Sequence, residues 1–201
     1  MSALLPKAAR LALALLCGAG LGALAGCRSI PFPEPKLEGE YGAALKAATR
    51  EAALFDNLET RAFVHVIQVT PQLAEAQADK LSALRGEPPA VAAARKTKAR
   101  DEAAQKPVFF AVVSTPYAQW NDWEQKGSAW RIALGPDYLR VPLKVERFER
   151  PFTVELLALY PYLDDFHTGY RLEFEGKVEA APRLQIAGAL GKMTFDWSVG
   201  P

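Results

Sequence analysis

From Pro107 onward the sequence never sustains a helical period, and this constrains the fold more than any other feature of the chain. Short apolar or alternating runs follow one another, each closed by Gly, Pro, Asp or Thr. Val108-Phe-Phe-Ala-Val-Val113 is apolar on both faces and stops at Thr115-Pro116, and Ala129-Trp-Arg-Ile-Ala-Leu134 leads into the turn Gly135-Pro136-Asp137. Tyr138 to Phe148 keeps Val141, Leu143 and Val145 in phase, with Pro142 marking an edge position or a bulge. Phe152 to Tyr160, Thr168 to Gly176, Leu184 to Leu190 and Met193 to Val199 read as further strands. In the second of these Tyr170, Leu172 and Phe174 share one face while Arg171, Glu173 and Glu175 share the other. Short strands between Gly and Pro turns predict an antiparallel β-sandwich, and a small barrel satisfies the same pattern.

Upstream the period changes twice. Ala62-Phe-Val-His-Val-Ile-Gln-Val69 is β-branched and apolar on both faces, as a central strand requires. Thr70-Pro71 supplies an N-cap followed by proline at the first helical position, which predicts a helix to about Arg85, closed by Gly86. Glu87-Pro-Pro89 opens a second helix reaching roughly Gln105, so that a helical insertion at about 71–106 separates the first two strands. Tyr41, Leu45, Ala48, Ala52 and Phe55 recur at spacings of four and three and predict an N-terminal helix from about 41 to 58. The expected architecture is thus mainly β, a single sandwich domain over 41–201 with an N-terminal helix and one helical insertion.

The second inserted helix is odd. Val91 is its only large aliphatic, and residues 90–106 carry five basic side chains against two acidic ones. It reads as a solvated arm, or else as a surface for anionic headgroups or a partner protein. Reversing the charges of Arg95, Lys96, Lys98 and Arg100 is expected to leave the fold intact.

The N-terminus carries a different message. Residues 1–10 contain Lys7 and Arg10 and no acid, and Leu11 to Gly26 is an uncharged run of 16 residues interrupted by Gly18, Gly20 and Gly22. A basic start and a short apolar run read as a secretory signal, the run being too short and too glycine-rich for a spanning helix. Leu24-Ala25-Gly26-Cys27 resembles the lipobox of bacterial lipoproteins. That resemblance implies removal of residues 1–26, a diacylglyceryl thioether on Cys27 and acylation of the new terminus. Several acyl chains would give a stable anchor where one gives only marginal binding. Arg28 stands where some lipoproteins carry the Asp that retains them in the inner membrane, so the resemblance points to the outer membrane, facing the periplasm. An ordinary cleaved signal with an incidental Cys27 is the alternative. Residues 27–40 then form a tether, kept extended by Pro31, Pro33 and Pro35.

The 175 residues from Cys27 onward suffice for one domain with a sizeable core. Taking Lys7 and Arg10 from the 24 basic residues leaves 22 against 23 acidic ones, a formal charge of −1, which gives no footprint for nucleic acid. Cys17 leaves with the signal and Cys27 is alkylated, so no disulfide is expected. The C-terminal half resembles the immunoglobulin-like domains of bacterial envelope lipoproteins, with Tyr170-Arg-Leu-Glu-Phe174 and Phe195-Asp-Trp197 similar to their penultimate and final strands. It lacks the disulfide-and-tryptophan core of antibody domains.

Two constellations are candidates for chemistry. Trp120-Asn-Asp-Trp123-Glu124, with Trp130 nearby, puts indoles in a connecting loop, where they either stack on a sugar or partner surface or lid the sandwich. Tyr160-Pro-Tyr-Leu-Asp-Asp-Phe-His167 gathers Asp164, Asp165 and His167, which offer two oxygens and a nitrogen to a ligand or simply build an Asx turn. His65 is in phase with Phe63, Ile67 and Val69 and reads as a satisfied core residue. Gly188-Ala-Leu-Gly191-Lys192-Met193 is too short for a phosphate loop and lacks Ser or Thr after Lys192. No cofactor or resident metal is expected. These readings combine into a lipid-anchored envelope protein that binds or assembles with an envelope protein or glycan. The alternative is a glycan hydrolase using Asp164, Asp165 or Glu124 as acid and base.

Overall fold

The computed structural model describes residues 35–198. The signal segment, Cys27 and most of the proline-rich tether lie outside the described residues. The described part contains α1 (Gly39–Ala48), β1 (Thr49–Asp56), β2 (Glu59–Gln68), α2 (Pro71–Arg85), α3 (Pro89–Gln105), β3 (Val108–Ser114), a 3-10 turn (Ala118–Trp120), β4 (Trp130–Leu134), β5 (Lys144–Arg147), α4 (Val154–Leu159), β6 (Thr168–Glu173), β7 (Arg183–Gly188) and β8 (Gly191–Asp196). All strand pairs are antiparallel. One sheet has the order β1-β2-β3-β6-β5 and the other β4-β7-β8.

Alternation along the strands builds two cores on the two faces of the larger sheet. Val64, Val66, Phe109, Ala111, Tyr170 and Leu172 point to the smaller sheet and meet Ile132, Leu184, Ile186 and Phe195 there. Phe109 sits edge-on to Phe174 at 5.7 Å and tilted against Trp197 at 5.4 Å. The opposite face presents Ile67, Phe110 and Val112 to Leu45 of α1, Leu73 of α2, and Tyr160 and Leu163 after α4. Phe110 stacks on Tyr160 with centroids 3.6 Å apart. β2 and β3 are apolar on both faces because they lie between a sheet and a helical layer. Each fully buried Leu, Ile or Phe contributes about 1.5–3 kcal/mol.

The inserted helices form as their cap chemistry dictates. Thr70 Oγ1 accepts from Leu73 N at 3.1 Å, Pro71 takes the first turn, and Gly86 ends α2 with a φ of 61°. α3 needs almost no apolar stripe, since alanines let it lie against α2 and its cations reach α2 acids. Lys96 Nζ lies 2.6 Å from Asp79, Arg100 Nε 3.6 Å from Glu75, and Arg95 pairs with Glu87, which Ser82 also holds. The expectation of a solvated arm is therefore corrected. Three of its four cations clamp a helical hairpin, so reversing them perturbs that hairpin.

Other expectations also change. The helix expected over 41–58 stops at Ala48, and Ala52 and Phe55 lie on β1 instead. Thr49 turns extended and its Oγ1 donates back to Leu45 O at 2.7 Å, while pairing with β2 outweighs the helical preference of the alanines. β1 puts Ala52 and Leu54 against the inter-sheet core and leaves Phe55 60% exposed. The helical insertion accordingly separates the second and third strands, β2 and β3, rather than the first two. Val154–Leu159 within the strand expected at 152–160 is helix α4, because Thr153 Oγ1 caps Leu156 N at 3.2 Å and Leu156 and Leu159 share the helical face that packs on the sheet. The strand expected over 138–148 contracts to β5, a sheet edge just beyond Pro142.

Two features close the domain. β7 and β8 form a hairpin across Ala189-Leu190, and at Gly188 a Cβ would stand 1.9 Å from Ala129 O, so only glycine fits. Residues 188–193 are thus a hairpin turn and no phosphate loop. Trp197 Nε1 donates to Ala48 O at 2.9 Å and Arg50 Nε to Asp196 O at 3.1 Å, joining the α1–β1 corner to the end of β8 and the residue after it.

Candidate functional site

The tryptophan loop is rigid and splits the indoles between two roles. Asp122 organises it, accepting from Ser128 Oγ at 2.8 Å and Ala129 N at 3.0 Å. Trp130 is buried on β4, its Nε1 donating to Trp120 O at 2.8 Å. Trp123 is 5% exposed and stacks on Tyr170 with centroids 4.9 Å apart, so its expected role as a binding surface is corrected to core. Its Nε1 and the Tyr170 hydroxyl are buried without hydrogen-bond partners, and burial pushes that hydroxyl's pKa up. Trp120 remains half-buried, edge-on to Tyr117 at 4.6 Å with the Arg61 guanidinium 5.6 Å from its ring. Glu124 lies 3.5 Å from Arg147.

The Asp164 turn is built as an Asx turn. Asp164 Oδ1 accepts from Phe166 N at 2.8 Å and lies 2.5 Å from His167 Nδ1. Burial pushes the Asp164 carboxyl up, but the His167 and backbone hydrogen bonds outweigh it and hold the group below its usual range. Asp165 is exposed. Among the described residues no group of three or more His, Cys, Asp or Glu side chains is placed to hold a metal ion.

Tyr162 brings this turn to His65, stacking on its ring at 4.5 Å, with Phe63 edge-on at 4.9 Å. His65 is 7% exposed, and burial, reinforced by the nearby His167, lowers its pKa to about 4. The Glu51 carboxylate 3.6 Å from Nδ1 is largely exposed and does not offset this. His65 belongs to the core as its phase predicts, yet it is not a satisfied residue, since Nδ1 has no hydrogen-bond partner. Neutral at physiological pH and packed between Tyr162 and Phe63, the His65 ring serves as an aromatic plate of the core.

The feature that sequence reasoning missed is a cleft of about 610 Å³ between the α2–α3 hairpin and the large sheet. Ala78 and Leu81 of α2, Ala99 and Ala103 of α3, Val108 and Leu159 form its apolar walls. Arg95, Lys98, Lys106 and Arg171 supply cations, against Glu102. Gln77 Nε2 is a buried donor with no acceptor, for the neighbouring Tyr41 and Tyr160 hydroxyls do not meet hydrogen-bond geometry with it. A cleft of this size, lined about equally by apolar and by polar or charged side chains, is suited to a small-molecule ligand with both characters. Its only trace in the sequence is the alternation of Ala with Lys and Arg along residues 90–106. Comparison with known proteins finds no family model, no curated protein and no solved structure that matches the chain.

Proposed function

We propose that this chain is a lipid-anchored envelope protein, held by Cys27 in the outer membrane and acting by binding or assembly. The cleft of about 610 Å³ behind the helical hairpin is the observation that carries the binding role. The lipobox-like Leu24-Ala25-Gly26-Cys27 supports the anchor, as does a proline-rich spacer ending just before α1 at Gly39. Among the described residues no helix is long and apolar enough to cross a membrane.

The folded part reads as an immunoglobulin-like sandwich. The orders β2-β3-β6-β5 and β4-β7-β8 correspond, strand for strand, to the ABED and CFG sheets of constant-type domains. Trp130 is buried on the C-equivalent strand, which is compatible with this reading. β1 is an addition beside the A-equivalent strand, and the α2–α3 hairpin fills the A–B connection.

Cells fed an alkyne-bearing palmitate test the anchor. The protein is expected to carry the label, to sediment with outer membranes, and to lose both properties on Cys27→Ala. Persistent labelling of that variant refutes the anchor.

A further inference from the structure

We propose that the cleft between the hairpin and the large sheet binds an amphiphile with one apolar chain and a single anionic head group. The inference deepens the binding role proposed above and does not depend on the Cys27 anchor.

Small side chains keep the apolar part open. Ala78, Ala99 and Ala103 line the groove together with Leu81, Leu159 and Val108, an apolar strip of small and branched side chains against which an alkyl chain can lie.

The charges set the head group. Arg95 is committed to Glu87, and Lys98 lies 3.8 Å from Glu102 with both side chains largely exposed, a loose pair. At the other end, Lys106 Nζ and Arg171 Nε converge on one carboxylate, Glu173, with Arg171 at 3.0 Å. The Lys106 hydrogen bond, helped by Arg171, outweighs the opposing effect of burial and holds that carboxyl below its usual range. Two cations on one anion leave a single positive charge at the cleft. A second anion there completes both cations, and the idle Gln77 Nε2 offers a further donor from the wall. A dianion would exceed this charge and a cation would meet like charge. A fatty carboxylate and a lysophospholipid phosphodiester share the required chemistry.

The test uses the full chain, extracted from membranes and held in phosphatidylcholine nanodiscs, with a dodecanoate bearing a diazirine on its chain. After irradiation, adducts are expected on peptides covering residues 74–81 or 99–108. A dodecylamine carrying the same diazirine should label these peptides weakly. Ala99→Leu, which narrows the groove, and Arg171→Gln, which removes a charged donor, should each lower labelling about tenfold, with melting temperature as the control for folding. Competition by dodecanoate assigns the site to free fatty acids, and competition by lysophosphatidylglycerol alone assigns it to membrane-derived lipid. Adducts confined to other segments, equal labelling by the amine probe, or labelling undiminished in both variants would overturn the proposal. None of these outcomes bears on palmitate labelling at Cys27, so the two readings fail separately.

Discussion

Trp123→Ala is the sharpest test of the division of roles within the tryptophan loop. The indole is 5% exposed and lies parallel to Tyr170 at 4.9 Å, so its removal leaves a cavity against a fully buried ring. Truncating a buried tryptophan costs about 3–5 kcal/mol. Here Nε1 has no acceptor, and deleting an unsatisfied buried donor returns part of the loss, so we expect a value near 3 kcal/mol. At roughly 2–4 °C per kcal/mol for a domain of this size, the melting temperature should fall by about 6–12 °C. Trp120→Ala removes only an edge contact with Tyr117 and the Arg61 cation–π contact, about 0.5–1.5 kcal/mol, or roughly 1–6 °C. Trp123→Phe keeps a stacking ring and drops the idle N–H, and should stay within about 1 kcal/mol of the parent. Calorimetry with urea midpoints on the same three variants measures all of this. Equal, small effects of Trp123→Ala and Trp120→Ala would refute the core assignment, and a Trp123→Phe as damaging as the alanine would refute the unpartnered N–H.

Two other perturbations follow from the charges. Because burial lowers the His65 pKa from 6.5 to about 4, the unfolded state takes up the proton first as pH falls; stability should drop by ~3 kcal/mol between those values and level off below. His65→Leu should flatten that window in urea midpoints taken across pH, and an unchanged slope would mean His65 is not the group responsible. Arg95→Glu sets a second carboxylate against Glu87 and should raise hydrogen exchange in α3 while leaving β3 and β6 protected; uniform exchange across the domain would mean the hairpin and sandwich unfold together.

Local chemistry was legible in the sequence where it acted alone. Thr70-Pro71 and Gly86 bound α2 because caps depend on neighbouring residues only. β2 and β3 were readable because burial on both faces writes an unbroken apolar run. β1 was not, since Ala52 and Ala53 favour a helix and only pairing with residues 59–67 overrides them. Residues 152–160 misled in the opposite sense, their aromatic and branched content masking the cap at Thr153. Nothing local says that Trp123 turns inward and Trp120 outward, since Tyr170, 47 residues away, decides it. The cleft was least legible, being formed by alanines whose neighbours are set by the hairpin's ion pairs.

The bond from Trp197 to Ala48 also dictates a sequence of events in time. The corner where α1 becomes β1 is made early, as the ribosome works from the N-terminus, yet its partner is not polymerised until residue 197. Until then β1 is held by β2 alone, and the bonds from Trp197 to Ala48 O and from Arg50 to Asp196 O, which complete the seam, have no second half. Such a chain can pair β1 with β2 long before it can close this seam, which waits for the last strand of the smaller sheet and the tryptophan behind it.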